Sequence, residues 1–225
     1  MSNIVESLSK RAHVVHYKTN VEDIPTKSEI EEILRIGYPL ATSKQNAFPY
    51  QCHVLGPNLK RSENIYQMCE MNKIVFDIDT EKNYNPNPYL FHIRTAPWIL
   101  IWAPRLAPPN QFNKESIEET GTMWEFDDED YIPKAEKSYA IEVGMIAKIL
   151  TGVILDKGYD TSYTSCFPHQ TKRWIKYPFI KHAPFLIQTI GKSKLYKWQN
   201  MKPENLKKDT CPPFEDIFKF RGDDE

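Results

Sequence analysis

One stretch limits the folds open to this chain more than any other: Ser138 to Lys157, SYAIEVGMIAKILTGVILDK. Between Tyr139 and Leu155 its only charged residues are Glu142 and Lys148. A helix that is apolar nearly all round must be enclosed, by its own core or by a partner subunit. The two charges make it a buried helix rather than a membrane span. Gly144 and Gly152 would let a neighbouring helix approach closely. Gly158 is placed to cap the C-terminus.

A second constraint is Trp98 to Ala103, WILIWA. An unbroken apolar run of this length fits a central strand covered on both faces. Tyr50 to Leu55, closed by Gly56-Pro57, and Phe185 to Ile190, ended by Gly191, read as further strands. Thr26 to Gly37 reads as a helix. Thr26 and Glu29 suit a capping box, Ile30, Ile33 and Leu34 make its apolar stripe, and Gly37 is its expected stop. Asn58 to Met71 is a second helix, with Leu59, Ile65, Tyr66 and Cys69 facing inward. Lys73 to Asp79 is expected to be short and extended. Residues 104 to 137 form an excursion, marked by Pro104, Pro108, Pro109, Pro133 and the acidic run Glu125 to Asp130. Such a segment is either a lid or binding element or a solvated surface loop. Helices and strands are mixed, so the class is α+β or α/β around a central sheet.

The chain has 225 residues, which suits one domain over 1–225. Its 29 basic and 30 acidic residues leave a formal charge of -1, which excludes nucleic-acid binding driven by whole-chain electrostatics. Met1 to Lys10 is polar, so neither a signal peptide nor a membrane partner is expected. Cys52, Cys69, Cys166 and Cys211 have no metal-ligand spacing and no dense disulfide framework, so a reducing cytoplasm is the expected location. His13 and His16 are three apart but precede the first helix, and they read as local surface residues rather than a metal pair.

No phosphate loop, dinucleotide fingerprint, zinc-helix motif or nucleophile elbow is present. Three separated segments carry the remaining signal. The first is Lys10 to Tyr17, KRAHVVHY, ahead of a short linker and the helix near Pro25. The second is Ala41 to Leu55, ATSKQNAFPYQCHVL. The third is Gly158 to Phe167, GYDTSYTSCF, directly after the long apolar helix. In order and spacing these resemble the FMN-dependent nitroreductase-like family. Arg11, His13 and Tyr17 fall on the family's Arg-x-Ser-x-Arg/Lys-x-Phe/Tyr opening, with Val15 in place of its second basic residue. Ser43, Asn46, Pro49 and Tyr50 fall on its Ser-x-x-Asn-x-Gln-Pro-Trp stretch, with Phe48 in place of the glutamine. Cys166 stands where the family often has glycine.

The resemblance implies an α+β sandwich, a central mixed sheet flanked by helices, built as a domain-swapped homodimer. It implies FMN as cofactor and NAD(P)H as co-substrate, with an electron-poor small molecule (a nitroaromatic or a quinone) as acceptor. No catalytic side chain is implied, because the flavin carries the chemistry. Arg11, Ala12 and His13 would hold the FMN phosphate and ribityl chain, since a guanidinium suits a phosphate. Ser43, Lys44 and Asn46 would line the ring and ribityl region, and Lys44 would supply the positive charge that Val15 withholds. Thr164, Ser165 and Cys166 would bring backbone N–H groups to the flavin. The Cys166 thiol itself is expected to be buried and inert. Lys207 and Lys208 either approach the phosphate or belong to a solvated basic face. Trp124 and Phe126 would shape the substrate mouth, where the acidic run would disfavour anionic substrates. The departures at His13, Val15, Phe48 and Cys166 leave a second reading: a protein of this fold that has lost FMN and acts as a binding or interaction module.

Overall fold

The structure, a computed structural model, describes residues 14–76, 90–121, 132–168 and 176–196, together with Leu8, Trp124 and Trp174. Among the described residues six strands run β1 Val14–Tyr17, β2 Tyr50–Leu55, β3 Trp98–Pro104, β4 Asp160–Thr164, β5 Leu186–Gly191 and β6 Ser193–Tyr196. The helices are α1 Lys27–Gly37, α2 Leu59–Phe76, α3 Phe91–Arg94, α4 Gln111–Thr120 and α5 Ile132–Asp156. Strands β2-β3-β5-β4 make the central sheet, and β1 pairs with β6 beside it. Every pairing among the described residues is antiparallel, where the resemblance implied a mixed sheet.

The apolar run at β3 is buried along its whole length. Strand geometry sends alternate side chains to opposite faces. Trp98, Leu100 and Trp102 join one core with Ile30 and Ile33 of α1 and Val143, Ile146, Leu150, Val153 and Ile154 of α5. Ile99 and Ile101 join the other core with Tyr17, with Ile65 and Tyr66 of α2, and with Ile93 and Phe167. On that second side the buried Tyr17 hydroxyl and His92 Nδ1 both meet Thr189 Oγ1, at 2.9 and 3.0 Å. On the first, the Trp98 indole donates to Pro25 O at 2.7 Å and ties the start of α1 to the sheet.

Several local expectations hold and others give way to packing. Thr26 and Glu29 form the capping box. Gly37 ends α1 as expected, though without a left-handed turn. Its backbone stays helical, at φ -78. A Cβ there would strike the Leu150 side chain. Gly191 ends β5 as expected, and a Cβ on it would sit 2.8 Å from Pro97 and from Tyr17. Helix α2 runs on through Lys73–Phe76, which were expected to be extended, and Leu59 is exposed rather than inward. Within 104 to 137 a helix forms, α4, capped by Asn110 and closed by Gly121 at φ 64. Gly158, at φ 80, caps the long helix as expected. By length and hydropathy Lys137–Asp156 would suffice to cross a bilayer, and half of it is buried within the fold. The outer flank of α5 shows Ile141, 65% exposed, and Met145, 45% exposed, with Gly144 open between them.

Candidate functional site

The second segment folds into a tight loop framed by two charges. Lys44–Asn46 form one 3-10 turn. The Ser43 hydroxyl donates to Glu142 Oε2 at 2.7 Å and accepts the Phe48 N–H at 2.8 Å. The Lys44 N–H donates to Glu142 Oε1 at 3.0 Å. On the other side the Arg105 guanidinium donates to Ala47 O at 3.0 Å and to Phe48 O at 2.8 and 3.2 Å. Asn46 and Phe48 both take left-handed backbone angles, φ 56 and φ 45. Asparagine tolerates this region; for phenylalanine it costs about 1–2 kcal/mol. The Arg105 fork offsets that strain by satisfying the two carbonyls of the turn.

The framed loop aims its aromatic ring inward. Phe48 packs against Tyr38 at 5.5 Å and Tyr50 at 6.1 Å, and Tyr50 against Trp102 at 5.9 Å. Burial, then the nearby Glu142 carboxylate, pushes the Tyr50 hydroxyl up to about 12. Burial also pushes the Cys52 thiol up. Lys44 and Asn46 face solvent.

The third segment contains a strand, β4, and only then a loop. Thr164, at the strand's end, accepts the Cys166 N–H on Oγ1 at 2.9 Å. Phe167 N–H donates to Ser165 O at 3.0 Å, and the Phe167 ring is fully buried. That anchor turns Ser165 and Cys166 outward. The Cys166 thiol is exposed, which corrects the expectation of a buried one. Its backbone N–H is already used within the chain, and the Ser43 hydroxyl is likewise committed twice.

Register relates the two loops. Thr164, Ile187, Ile101 and His53 form one row across the sheet. The 43–48 loop and the 165–167 loop therefore open at the same end of the sheet but at opposite edges. Three strand spacings separate them, about 14 Å. Trp124 belongs to a different contact, its indole donating to Ala107 O at 2.9 Å. Arg11, Ala12, His13, Phe126, the run 125–130, Lys207 and Lys208 lie outside the described residues. Near the first segment, His16 stacks on Phe91 at 5.4 Å, and burial, with Lys194 and Arg94, holds its pKa below the usual value. Among the described residues no cluster of His, Cys, Asp or Glu could hold a metal ion.

Two residues of the frame, Glu142 and Arg105, were not among the sequence candidates. Glu142 did carry a signal, as one of two charges inside an apolar helix. Arg105 carried none beyond its place just after the central strand.

No family model matches the sequence, and no curated protein does. Solved structures match its backbone from end to end. A protein of Exiguobacterium sibiricum 255-15 assigned as a nitroreductase, in complex with FMN, superposes with a TM-score of 0.64 at 16% identity, covering 98% of both chains. A protein of Staphylococcus epidermidis ATCC 12228 assigned as an NAD(P)H:FMN oxidoreductase does so at 0.61 and 16%, over 98% of this chain and 97% of the other. A nitroreductase family protein of Streptococcus pneumoniae TIGR4 gives 0.61 and 14%, over 97% and 100%. This chain has the α+β fold of the nitroreductase family.

Proposed function

We propose that the protein is an FMN-dependent oxidoreductase that passes hydride from NAD(P)H to an electron-poor acceptor such as a nitroaromatic or a quinone. The observation that carries this reading is the end-to-end likeness to a structure solved with FMN. The residues at the shared sheet end fit such a cofactor in part. Lys44 and Asn46 are exposed on a loop fixed from both sides. A cation and an amide there suit the polar edge of a flavin, and the positive charge would stabilise its anionic reduced form. Ser165 offers its backbone and an exposed hydroxyl from the opposite edge. Arg11, Ala12, His13, Lys207 and Lys208 are proposed for the phosphate end, with Trp124 and Phe126 at the acceptor's mouth. FMN bound there would supply the two-electron chemistry, so no side-chain acid or base is required of this chain.

The protein works as a homodimer in this proposal. The exposed apolar flank of α5, with Ile141 and Met145, is the surface a second copy would cover. The cytoplasm is the proposed location.

The test is the absorbance of the purified protein, before and after adding FMN and removing the excess. A retained band near about 450 nm supports the reading. NADH and NADPH oxidation with nitroaromatic and quinone acceptors then identifies the substrates. A colourless protein that takes up no FMN overturns it. That result would favour the second reading, a binding module, for which the commitment of the Ser43 hydroxyl and the Cys166 N–H to internal partners is the supporting observation.

A further inference from the structure

A pocket of about 370 Å³ opens where β1, β6 and the end of α3 meet, lined by His16, Tyr17, Thr19, Thr95 and Lys194. The Thr95 hydroxyl accepts the Tyr17 N–H at 2.9 Å, just before β3 begins at Trp98. The 43–48 loop meets β3 at its other end, where Tyr50 pairs with Pro104. The length of β3 lies between them, about 20 Å. The pocket therefore stands apart from the framed loop.

An irregularity of pairing builds it. Val14 opposes Tyr196, His16 opposes Leu195 and Tyr17 opposes Ser193. Val15 is thus an extra residue on β1, and Lys194 an extra residue on β6, on either side of the His16 pair. A bulge takes its extra residue out of the ladder and re-aims the side chain, and bulges gather beside functional sites. This one puts Lys194 on the same wall as His16.

The charges around the pocket are matched except one. Arg94 pairs with Glu63 at 2.6 Å, and Lys18 and Lys192 share Asp23 at 3.6 and 3.5 Å. The Asp160 carboxylate accepts the Ser193 N–H at 2.8 Å. Lys194 makes no ion pair among the described residues. Neutral donors stand with it. The Thr19 hydroxyl has no hydrogen-bond partner among the described residues, and the Thr95 hydroxyl proton meets only Phe91 O at the outer limit, 3.5 Å. The His16 ring is stacked on Phe91 but not hydrogen-bonded among the described residues. Burial, then Lys194 and Arg94, hold its pKa below the usual value, so it is neutral at pH 7. An anion would offset both cations and let the ring take up a proton. Thr19 and Lys194 are exposed and His16 and Thr95 half-buried, so a ligand reaches all four without displacing a side chain. Single donors converging from several directions suit the tetrahedral oxygens of a phosphate. A flat carboxylate is best met by an arginine fork, and Arg94 is already tied to Glu63.

We propose that this pocket binds a phosphate group, free or as the monoester of a small organic molecule. Lys194 neutralises the phosphate, the Thr19 and Thr95 hydroxyls donate to its oxygens, and the protonated His16 ring donates to another. The site is separate from the phosphate end proposed for FMN at Arg11, Ala12, His13, Lys207 and Lys208. It does not rest on the flavin reading. Its failure is read on His16, while the failure of the flavin reading is read in the absorbance.

The test follows the His16 Cε1–H resonance of the full-length protein, as purified, in proton–carbon spectra across about pH 5 to 8. The resonance is assigned by its loss in His16→Gln or, should that variant fail to fold, by its displacement in Lys194→Met. Inorganic phosphate and phenyl phosphate are the probes, and sodium chloride at equal ionic strength is the control. Both phosphates should raise the His16 pKa by about one, saturably, while chloride leaves it in place. Tighter binding of phenyl phosphate identifies a monoester as the ligand, and tighter binding of inorganic phosphate identifies the free ion. Lys194→Met should weaken both about tenfold, and Lys194→Arg, which keeps the charge, by less than about threefold. A His16 resonance that moves no further in millimolar phosphate than in chloride overturns the proposal. Phosphate binding unchanged in Lys194→Met overturns it too. So does a shift produced by one equivalent of FMN that phosphate no longer adds to, since the pocket would then belong to the cofactor.

Discussion

Ser43 and Glu142, 99 residues apart in the chain, are joined by a hydrogen bond of 2.7 Å from hydroxyl to carboxylate. The same carboxylate holds the next backbone N–H, at Lys44. One side chain of α5 thus fixes the start of the loop that carries Lys44 and Asn46. Glu142→Ala should cost about 2 kcal/mol of stability in urea denaturation, the scale of hydrogen bonds to a charged group. Glu142→Gln keeps an acceptor and should recover at least half of that loss. If FMN binds as proposed, Glu142→Ala also weakens it. Equal stability of both variants with the wild type would remove Glu142 from the frame.

Arg105 closes the other side of the loop with bonds to Ala47 and Phe48 carbonyls. Lysine carries the charge but cannot reproduce the fork. Arg105→Lys should therefore destabilise by about 1–2 kcal/mol, comparable with the left-handed strain at Phe48 that the fork offsets. The readout is the denaturation midpoint. Phe48→Gly in the Arg105→Lys background should lose less than Phe48→Gly in the wild type, because glycine removes the strain.

Gly191→Ala places a Cβ against the rigid ring of Pro97 and the ring of Tyr17, each at 2.8 Å. No long side chain can swing away there. A loss of about 2 kcal/mol is expected, in the range of overpacked cores. A wild-type melting temperature in Gly191→Ala would show that the sheet and β1 can separate freely at this point.

Glu29 accepts from Tyr159 and from Thr26, and these hydrogen bonds, Tyr159 first, hold its pKa near about 2 against an ordinary 4.5. A carboxylate depressed on folding stabilises the native state above its unfolded pKa. That stabilisation is lost as pH falls from about 4.5 toward 2. The wild type should lose melting temperature more steeply over that window than Glu29→Gln. Tyr159 runs the opposite way. Burial and Glu29 raise it to about 12, so its share is present below about 10 and is lost as pH rises toward 12. Tyr159→Phe should flatten the alkaline limb and, because Tyr159 is the first of the partners that depress Glu29, part of the acid limb as well.

Ile141→Asp on the outer flank of α5 should convert a dimer to a monomer in sedimentation velocity while keeping the far-ultraviolet spectrum. A wild-type protein that sediments as a monomer would overturn the proposed homodimer directly.

Legibility in the sequence followed the source of each signal. Helix α5 and strand β3 were readable because their apolar patterns outrun any local alternative, and α1 because its cap is written in Thr26 and Glu29. The short strands β1, β4 and β6 were not. DTSYT and SKLY are polar, and they are strands because neighbouring strands pair with them. Lys73–Phe76 is rich in residues that favour strands, yet it continues α2. Gly37 and Gly191 do end α1 and β5 as read, but sequence shows only a missing side chain and not the Leu150 or Pro97 that requires its absence. For the site, the loop at Ser43, Lys44 and Asn46 was visible by resemblance. Its frame was not, because nothing in local spacing links residue 43 to residue 142 or residue 48 to residue 105.

Strand β3 separates two cores and needs β5, about ninety residues further along, to complete its second edge. During synthesis β2 and β3 emerge early and can pair, but the most apolar strand of the protein then waits, one edge open, until more than two thirds of the chain has left the ribosome. Such an edge is a template for the wrong neighbour. Yield in a cell should accordingly depend on growth temperature and on chaperones that shield nascent chains, more than the finished protein's stability would suggest.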